Sequence, residues 1–199
     1  MLNFGKSKTL SMRYLGDACL HQKARQIEQV TDEIRSLGKA MLEMMYKQNG
    51  VGLAAPQVGI PLRLVTLDVP MPKEADMPLS PGERELLGKM PLILVNPEIL
   101  SFSPVTEIGE EGCLSVPRLY APVERPVSVV LKARLLDGPE FQLDCGGFLA
   151  RALQHELDHL DGVVYVQRVK DPDYQEILPQ LQKIYKKYGT RGYKINRLV

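Results

Sequence analysis

Apolar residues recur at steps of three and four between about residues 24 and 48, and this spacing predicts a long amphipathic helix near the N-terminus. Asn49-Gly50 ends the pattern, because both residues favour the left-handed backbone that follows a helix. A second helical pattern covers about residues 148–161. A third covers residues 171–188 in spite of Pro179. Each helix is expected to bury one face in a core.

The segments between these helices contain short apolar or alternating runs that are typical of strands. The predicted strands are 62–69, 92–95, 105–108, 127–136, 141–143 and 163–166. Asp137-Gly138 predicts a hairpin turn between two of them. Residues 70–91 are rich in proline and charge and predict a surface loop with one helical turn at 83–87. Long helices are mixed with hairpin-like strands, and the elements do not follow a strict β-α-β alternation. The chain is therefore expected to have an α+β fold.

Composition then narrows the class of protein. The chain has 199 residues, 44% of them hydrophobic, and 25 Lys and Arg stand against 24 Asp and Glu. These values are typical of one globular domain over residues 1–199, and they exclude a disordered chain or a fibrous repeat. The near-neutral charge argues against a protein that binds nucleic acid over its whole surface, and no sequence-specific nucleic acid is expected as a partner. No apolar run approaches the ~18 residues of a membrane span.

Cysteine usage and the N-terminal sequence bear on the cellular compartment. Three cysteines do not make a paired disulfide framework. The first twenty residues contain several charges and no continuous apolar stretch, so a secretory signal is not expected. We therefore expect a reducing, cytoplasmic location of the bacterial type, with an organellar origin as the alternative.

The sequence QHELDHLDG at 154–162 contains the pattern H-E-x-x-H on the second predicted helix. His155 and His159 are four residues apart, so both imidazoles lie on one helix face and can bind the same ion. Glu156 follows the first histidine and can reach a water molecule at that ion. The motif therefore predicts a divalent metal site with an adjacent acid–base residue.

A site of this kind needs a third protein ligand, and the chain offers few candidates. Tyr165 stands where a metzincin would have its third histidine, and the one downstream glutamate, Glu176, lies in a polar segment. Cys145 would be more than ~12 Å away along the helix. Cys113 lies between glycine and turn residues, where the backbone can approach an ion closely, and it is the predicted third ligand. The site then has one position open for water, and the residues left outside it are Cys19, Cys145 and His21.

Three motifs stand in order along the chain: GVGLAAPQ at 50–57, EGCLSVP at 111–117 and QHELDHLDG at 154–162. In wording, order and spacing they closely resemble the peptide deformylase family, over about residues 15–168. The first motif alone could be mistaken for a dinucleotide-binding turn, but a helix precedes it where a strand is required. The resemblance implies mixed or antiparallel sheets packed around a central H-E-x-x-H helix. It also implies a hydrolase of protein biosynthesis and N-terminal processing, which releases formate from the formyl-methionine of new polypeptides.

The resemblance further implies a role for each motif residue. Cys113, His155 and His159 bind one divalent metal ion, with Fe2+ as the usual native ion and Zn2+, Ni2+ or Co2+ able to substitute. Glu156 is the general acid–base. The negative charge that develops on the formyl oxygen is stabilised by the side chain of Gln57 and the backbone N–H of Leu114.

Substrate contacts are expected from the same motifs. Gly52 would contact the peptide backbone, and the methionine side chain would be surrounded by Val51, Phe148 and Ala152. Arg151 is expected to line the pocket with its aliphatic stem while its guanidinium reaches solvent. Tyr120 stands where some relatives have a basic, peptide-contacting residue, so contacts beyond the first substrate residues are not predicted.

Residues 168–199 form a basic C-terminal helix and tail. They contain eight Lys and Arg against three Asp and Glu, a local net charge of +5. This segment is either a solvated face or a contact with ribosomal RNA near the nascent substrate.

Two other functions compete with a deformylase. A zinc endopeptidase of the H-E-x-x-H type would need the downstream ligand that the chain lacks. A binding module held together by a metal would need neither Glu156 nor Gln57, because neither is required to hold an ion. Both alternatives therefore explain less of the sequence.

Overall fold

The computed structural model describes residues 10–72 and 78–189. Four α-helices lie at α1 Asp32–Lys47, α2 Pro81–Leu86, α3 Gly147–Leu160 and α4 Asp173–Tyr188. The described residues form seven strands, which are β1 Gly52–Ala54, β2 Leu64–Leu67, β3 Leu92–Phe102, β4 Thr106–Cys113, β5 Val116–Pro126, β6 Ser128–Leu135 and β7 Glu140–Gly146. Short 3-10 helices lie at Ala18–His21, Ala55–Val58, Leu87–Lys89 and Tyr165–Gln167.

The strands form two antiparallel sheets. Five strands pair in the order β1-β2-β3-β6-β7, and β4 and β5 form a separate two-stranded sheet. Every pairing of these strands is antiparallel. The expected α+β class is confirmed, and so is the hairpin at Asp137-Gly138, which joins β6 to β7.

Helix α3 packs against strands of both sheets. Its apolar side chains, among them Leu149, Leu153 and Leu157, join a buried cluster with residues of β2, β3 and β6. The helix ends before Gly162, which adopts φ +79° and so allows the chain to turn sharply. The H-E-x-x-H residues are therefore held on a helix that is fixed along most of its length.

The other two long helices cover different parts of the molecule. Helix α1 buries Leu37, Met41 and Met45 in a cluster with β1 and β2. Helix α4 buries Ile177 and Leu181 against a third cluster that includes residues of β5. The predicted N-terminal and C-terminal helices are both present, and each presents one apolar face to the core.

The first helix is shorter than its apolar pattern predicts. It begins at Asp32, with Thr31 extended before it and two acidic residues in the first turn, where they favour the helix dipole. Upstream, Ala24 N–H donates to the carbonyl of Leu160 at 2.7 Å, and Ile27 N–H donates to Asn96 Oδ1 at 2.8 Å. These tertiary hydrogen bonds hold the segment extended and override its helical periodicity.

One predicted strand is wrong, and the strands β1 and β5 are missing from the prediction. Residues 163–166 do not form a strand, and the chain there enters a 3-10 helix in which the Gln167 side chain accepts from Val164 N–H at 2.8 Å. Short apolar runs of this length do not distinguish strands from helical turns. Strand β5 is absent from the prediction because Pro117, Pro122 and Pro126 interrupt its pattern. Prolines are tolerated there because both strands of a two-stranded sheet are edges.

The C-terminal segment lies partly outside the described residues. Within residues 168–199, helix α4 covers Asp173–Tyr188, and residues 190–199 are not among those described. Within 10–72 and 78–189, no helix combines the length and the apolar character needed to cross a lipid bilayer.

Candidate active site

Three metal-ligating side chains converge from two elements. His155 and His159 lie on successive turns of α3, and Cys113 is the last residue of β4. Their ligand atoms all lie within 4.8 Å of one another, and Cys113 Sγ is 3.2 Å from His159 Nε2. One sulfur and two imidazole nitrogens at this spacing fit a tetrahedral Zn2+ or a similar divalent ion with one open position.

Glu156 is buried next to this group. Its Oε2 has no hydrogen-bond partner among the described residues. Burial raises the pKa of Glu156 to about 7. A Cβ placed on Gly52 would lie 2.3 Å from Glu156 Oε1, so only glycine leaves room for the carboxylate at β1. A buried carboxyl group with a pKa near neutrality and a free oxygen is suited to proton transfer.

The side-chain amide of Gln57 is fixed in one orientation. Its Oε1 accepts from Ala54 N–H at 2.8 Å, and its Nε2 donates to Cys113 Sγ at 3.4 Å and to Ser115 Oγ at 3.3 Å. The residue is 1% exposed. Because the acceptor end is held by the backbone, the donor end faces the sulfur of Cys113.

Leu114 follows Cys113 in the turn between β4 and β5. A Cβ on Gly50 would lie 2.8 Å from Leu114 Cδ1, so the glycine-rich motif at 50–57 lies directly against this turn. Ser115 N–H donates to Cys113 Sγ at 3.4 Å, which fixes the sulfur from the same turn. The three sequence motifs are therefore brought together at one place.

A buried ion-pair network lies behind the histidines. His155 Nδ1 and Glu111 Oε2 are 2.9 Å apart, and Arg125 donates to both oxygens of Glu111 at 2.9 Å each. Arg125 also donates to Asp158 Oδ2 at 2.6 Å. With Nδ1 bonded to the carboxylate, His155 has Nε2 available for an ion. These hydrogen bonds link β4, β5 and α3.

The network shifts the ionisation of its members. Burial alone would raise the pKa of Glu111, but hydrogen bonds from Arg125 and His155 outweigh it and hold that pKa well below its usual range. Burial would lower the pKa of His155, but hydrogen bonds with Cys113 and Glu111 outweigh it and raise the pKa. Burial and the neighbouring His155 lower the pKa of His159, so His159 remains a neutral imidazole, which is the form that binds metal.

Sequence reasoning overlooked Glu111, Arg125 and Asp158. One signal was available, since Glu111 lies two residues before Cys113 and therefore on the same face of the strand. Arg125, the partner of Glu111, could not be found in the same way. It lies on β5, which is not predicted from the sequence because prolines interrupt its pattern.

The predicted pocket residues divide into two groups. Val51 and Phe148 are exposed, at 40% and 50%, whereas Gly52 and Ala152 are buried. The expectation that the Arg151 guanidinium reaches solvent is wrong. It is buried and donates to Glu111 Oε1 at 3.0 Å, because acceptors from β4 and β5 surround it.

Comparisons with known proteins show to which family the chain belongs. The sequence model of the polypeptide deformylase family matches residues 9–175. Peptide deformylase 2 of Gloeobacter violaceus is 44% identical over 186 residues, which make up 94% of this chain and 90% of the relative. The crystal structure of a peptide deformylase from Synechococcus elongatus in complex with actinonin is 35% identical, with a TM-score of 0.72 over 95% of this chain and 91% of that one. A peptide deformylase from Ehrlichia chaffeensis is 31% identical, with a TM-score of 0.76 over 94% and 99%. The chain therefore belongs to the peptide deformylase family, metal-dependent hydrolases that remove the formyl group from the N-formylmethionine of nascent polypeptides.

Proposed function

We propose that Cys113, His155 and His159 bind the catalytic divalent ion of this deformylase, and that Glu156, Gln57 and Leu114 hydrolyse the formyl amide beside it. The observation that carries the proposal is the buried Glu156 carboxyl group, whose Oε2 has no partner among the described residues and lies next to the ligand group. A buried carboxyl oxygen without a partner destabilises a fold, and a catalytic role would explain why Glu156 has one.

The residues divide the reaction among them. When bound, the ion supplies Lewis-acid activation of water and of the formyl oxygen at neutral pH. Glu156 accepts the proton from the attacking water and returns it to the leaving amine. Gln57 Nε2 and the backbone N–H of Leu114 donate hydrogen bonds to the oxygen that becomes negative, and one such donor contributes about 3 kcal/mol. His155 is held in the ligating orientation by Glu111.

For the native ion we propose Fe2+, with Zn2+, Ni2+ or Co2+ able to substitute. The support is the mixed thiolate and imidazole donor set, which accepts all of these ions. A thiolate next to Fe2+ is sensitive to oxidation, so the protein is expected to lose activity in air faster with iron than with nickel. Metal analysis of protein purified without oxygen tests this assignment.

For the substrate pocket we propose that the methionine side chain binds beside Val51, Phe148 and Ala152, with Gly52 against the peptide backbone. The exposed apolar side chains of Val51 and Phe148 support this, because both are otherwise left in water. The stem of Arg151 is the remaining candidate for the pocket wall. Phe148→Ala is expected to raise KM more than it lowers kcat.

The test of the proposed function is formate release from formyl-Met-Ala-Ser by the metal-loaded protein, with unformylated Met-Ala-Ser-containing peptides as the comparison. Formate release without peptide cleavage is the expected result. Peptide cleavage without formate would instead support a zinc endopeptidase. Metal binding without either reaction would support a non-catalytic module.

We further propose that the basic C-terminal segment contacts the ribosome. In α4, Ile177 and Leu181 face the core, and Lys183, Lys186 and Lys187 are exposed. Replacing these three lysines by glutamate is expected to abolish co-sedimentation with ribosomes at low salt. The matched control is the same reversal at three exposed lysines elsewhere, Lys23, Lys39 and Lys47. Equal co-sedimentation of both variants would contradict the contact.

We also propose that the chain works as one catalytic domain with α3 as its central helix, in the cytoplasm. Contacts of α3 with both sheets support the central position. The free thiols of Cys19, Cys113 and Cys145 support a reducing compartment.

A further inference from the structure

Arg151 lies one helical turn before His155 on α3, and its guanidinium is directed inward. Nη1 donates to Glu111 Oε1 at 3.0 Å and to the carbonyl of Val123 at 3.0 Å, and Nη2 donates to the carbonyl of Glu107 at 3.1 Å. One side chain of the helix therefore holds both strands of the β4–β5 hairpin. The residue is 8% exposed, so these hydrogen bonds are largely shielded from water.

The hairpin and the helix carry different ligands of the same site. Cys113 ends β4, whereas His155 and His159 belong to α3. Among the described residues, no backbone–backbone hydrogen bond joins the β4–β5 hairpin to α3. The distance between the sulfur and the imidazoles depends on side chains that cross from the helix to the hairpin, and Arg151 is one of them.

Gly109 provides the space that Arg151 occupies. A Cβ at this position of β4 would lie 2.8 Å from Cζ of Arg151 and 3.0 Å from its Nε. Gly109 does not have a positive φ, so its backbone could accept alanine. Glycine is therefore needed at position 109 to leave room for the guanidinium, and not to allow an unusual backbone conformation.

We infer that Arg151, accommodated by Gly109, is a positioning residue that sets the distance between the thiolate ligand on the hairpin and the imidazole ligands on the helix. It acts through Glu111, which it shares with Arg125, and through the backbone of both strands. The inference rests on the proposed metal site. It assigns to Arg151 a task other than lining the substrate pocket.

Arg151→Met tests the inference, because methionine keeps an unbranched stem and removes all the donors. The readouts are the visible spectrum of the Co2+-loaded protein, which reports ligand geometry, and the rate at which Co2+ is lost to a chelator. We expect an altered spectrum and ion loss about 10–100-fold faster than in the wild type. Neither readout requires substrate.

The matched control is Arg63→Met. Arg63 is equally buried and donates to Asp161 Oδ1 at 2.8 Å and to the carbonyl of Pro97 at 2.9 Å, without touching Glu111. It is expected to lower thermal stability but to leave the Co2+ spectrum unchanged. If Arg151→Met also kept the wild-type spectrum and rate of ion loss, Arg151 would be structural and the inference wrong. A wild-type protein that binds no ion would instead overturn the proposed function.

Gly109→Ala provides a second test that does not alter the arginine. In the wild-type background the added methyl group displaces the guanidinium, and faster ion loss is expected. In the Arg151→Met background the flexible methionine gives way, and the same substitution is expected to change the rate less than twofold. Equal effects in the two backgrounds would contradict a link between Gly109 and Arg151.

Discussion

The helix α3 and the β4–β5 hairpin contribute to the same site in different ways. On the helix, the distance between His155 and His159 is set by regular backbone hydrogen bonds within one element. On the hairpin, Cys113 belongs to a separate element, which side-chain hydrogen bonds of Glu111, Arg125 and Arg151 join to the helix. The two histidine ligands are therefore positioned within one helix. The position of the cysteine ligand relative to them involves contacts between elements, including a buried network of charged side chains.

The largest loss of activity is expected on the helix. Glu156→Gln removes the proton acceptor but keeps the size of the side chain, so kcat should fall by about 10²–10⁴-fold while the ion is retained. Formate release and metal content, measured on the same sample, check this. Loss of the ion would show that Glu156 also supports metal binding and does not act in proton transfer alone.

A somewhat smaller loss is expected at Gln57, which contacts the hairpin. Gln57→Ala removes one donor to the developing negative charge and should lower kcat by about 10²–10³-fold with little change in KM. Steady-state kinetics on the metal-loaded variant test this. A rise in KM alone would mean that Gln57 binds the substrate equally before and during the reaction.

The network itself is tested by Glu111→Gln. The amide cannot balance Arg125 and Arg151, and we expect metal affinity to fall by about 10–100-fold. Competition with a chromophoric chelator measures it. Glu107→Gln on the same strand is the control, because that side chain is half exposed and lies 3.4 Å from Arg151. If both variants bound the ion as tightly as the wild type, the position of the cysteine ligand would not depend on the network.

The smallest effect is expected at Cys145, which is buried away from the site in the core of the five-stranded sheet. Burial raises the pKa of Cys145 to about 12, so the residue remains a thiol and does not act as a thiolate ligand. Cys145→Ala should leave metal content and kcat unchanged and lower stability by about 1 kcal/mol. Chemical denaturation and metal analysis test this, with Cys113→Ala as the contrasting variant that loses the ion.

The same division explains what the sequence could reveal. His155, Glu156 and His159 follow from one helical spacing, and α3 is present almost as the apolar pattern predicts. Cys113 could be chosen because few candidates existed. Strand β5 is not predicted because its prolines interrupt the alternating pattern of an edge strand. Arg125, the partner of Glu111, lies on this strand and is therefore not predicted either.

Arg151 shows the other limit of sequence reasoning. The helical pattern predicts its position on α3, but the direction of its guanidinium depends on acceptors from two strands that are distant in sequence. An arginine near a pocket is ordinarily expected to reach water. Here the guanidinium instead occupies the space left by the missing side chain of Gly109. A single glycine in a strand does not indicate which side chain packs against it.

The pairing of Gly109 with Arg151 has a consequence for how this protein can change in evolution. A side chain at 109 conflicts with the guanidinium, whereas a shorter residue at 151 removes its hydrogen bonds to the hairpin but meets no steric conflict. The order in which Gly109 and Arg151 are replaced therefore matters. A lineage that replaces Arg151 first passes through a loosened but sterically permitted intermediate, and one that replaces Gly109 first must cross a strained one. The steric conflict on the second route arises because a Cβ added at position 109 would lie 2.8 Å from Cζ of Arg151, whose guanidinium is held by buried acceptors.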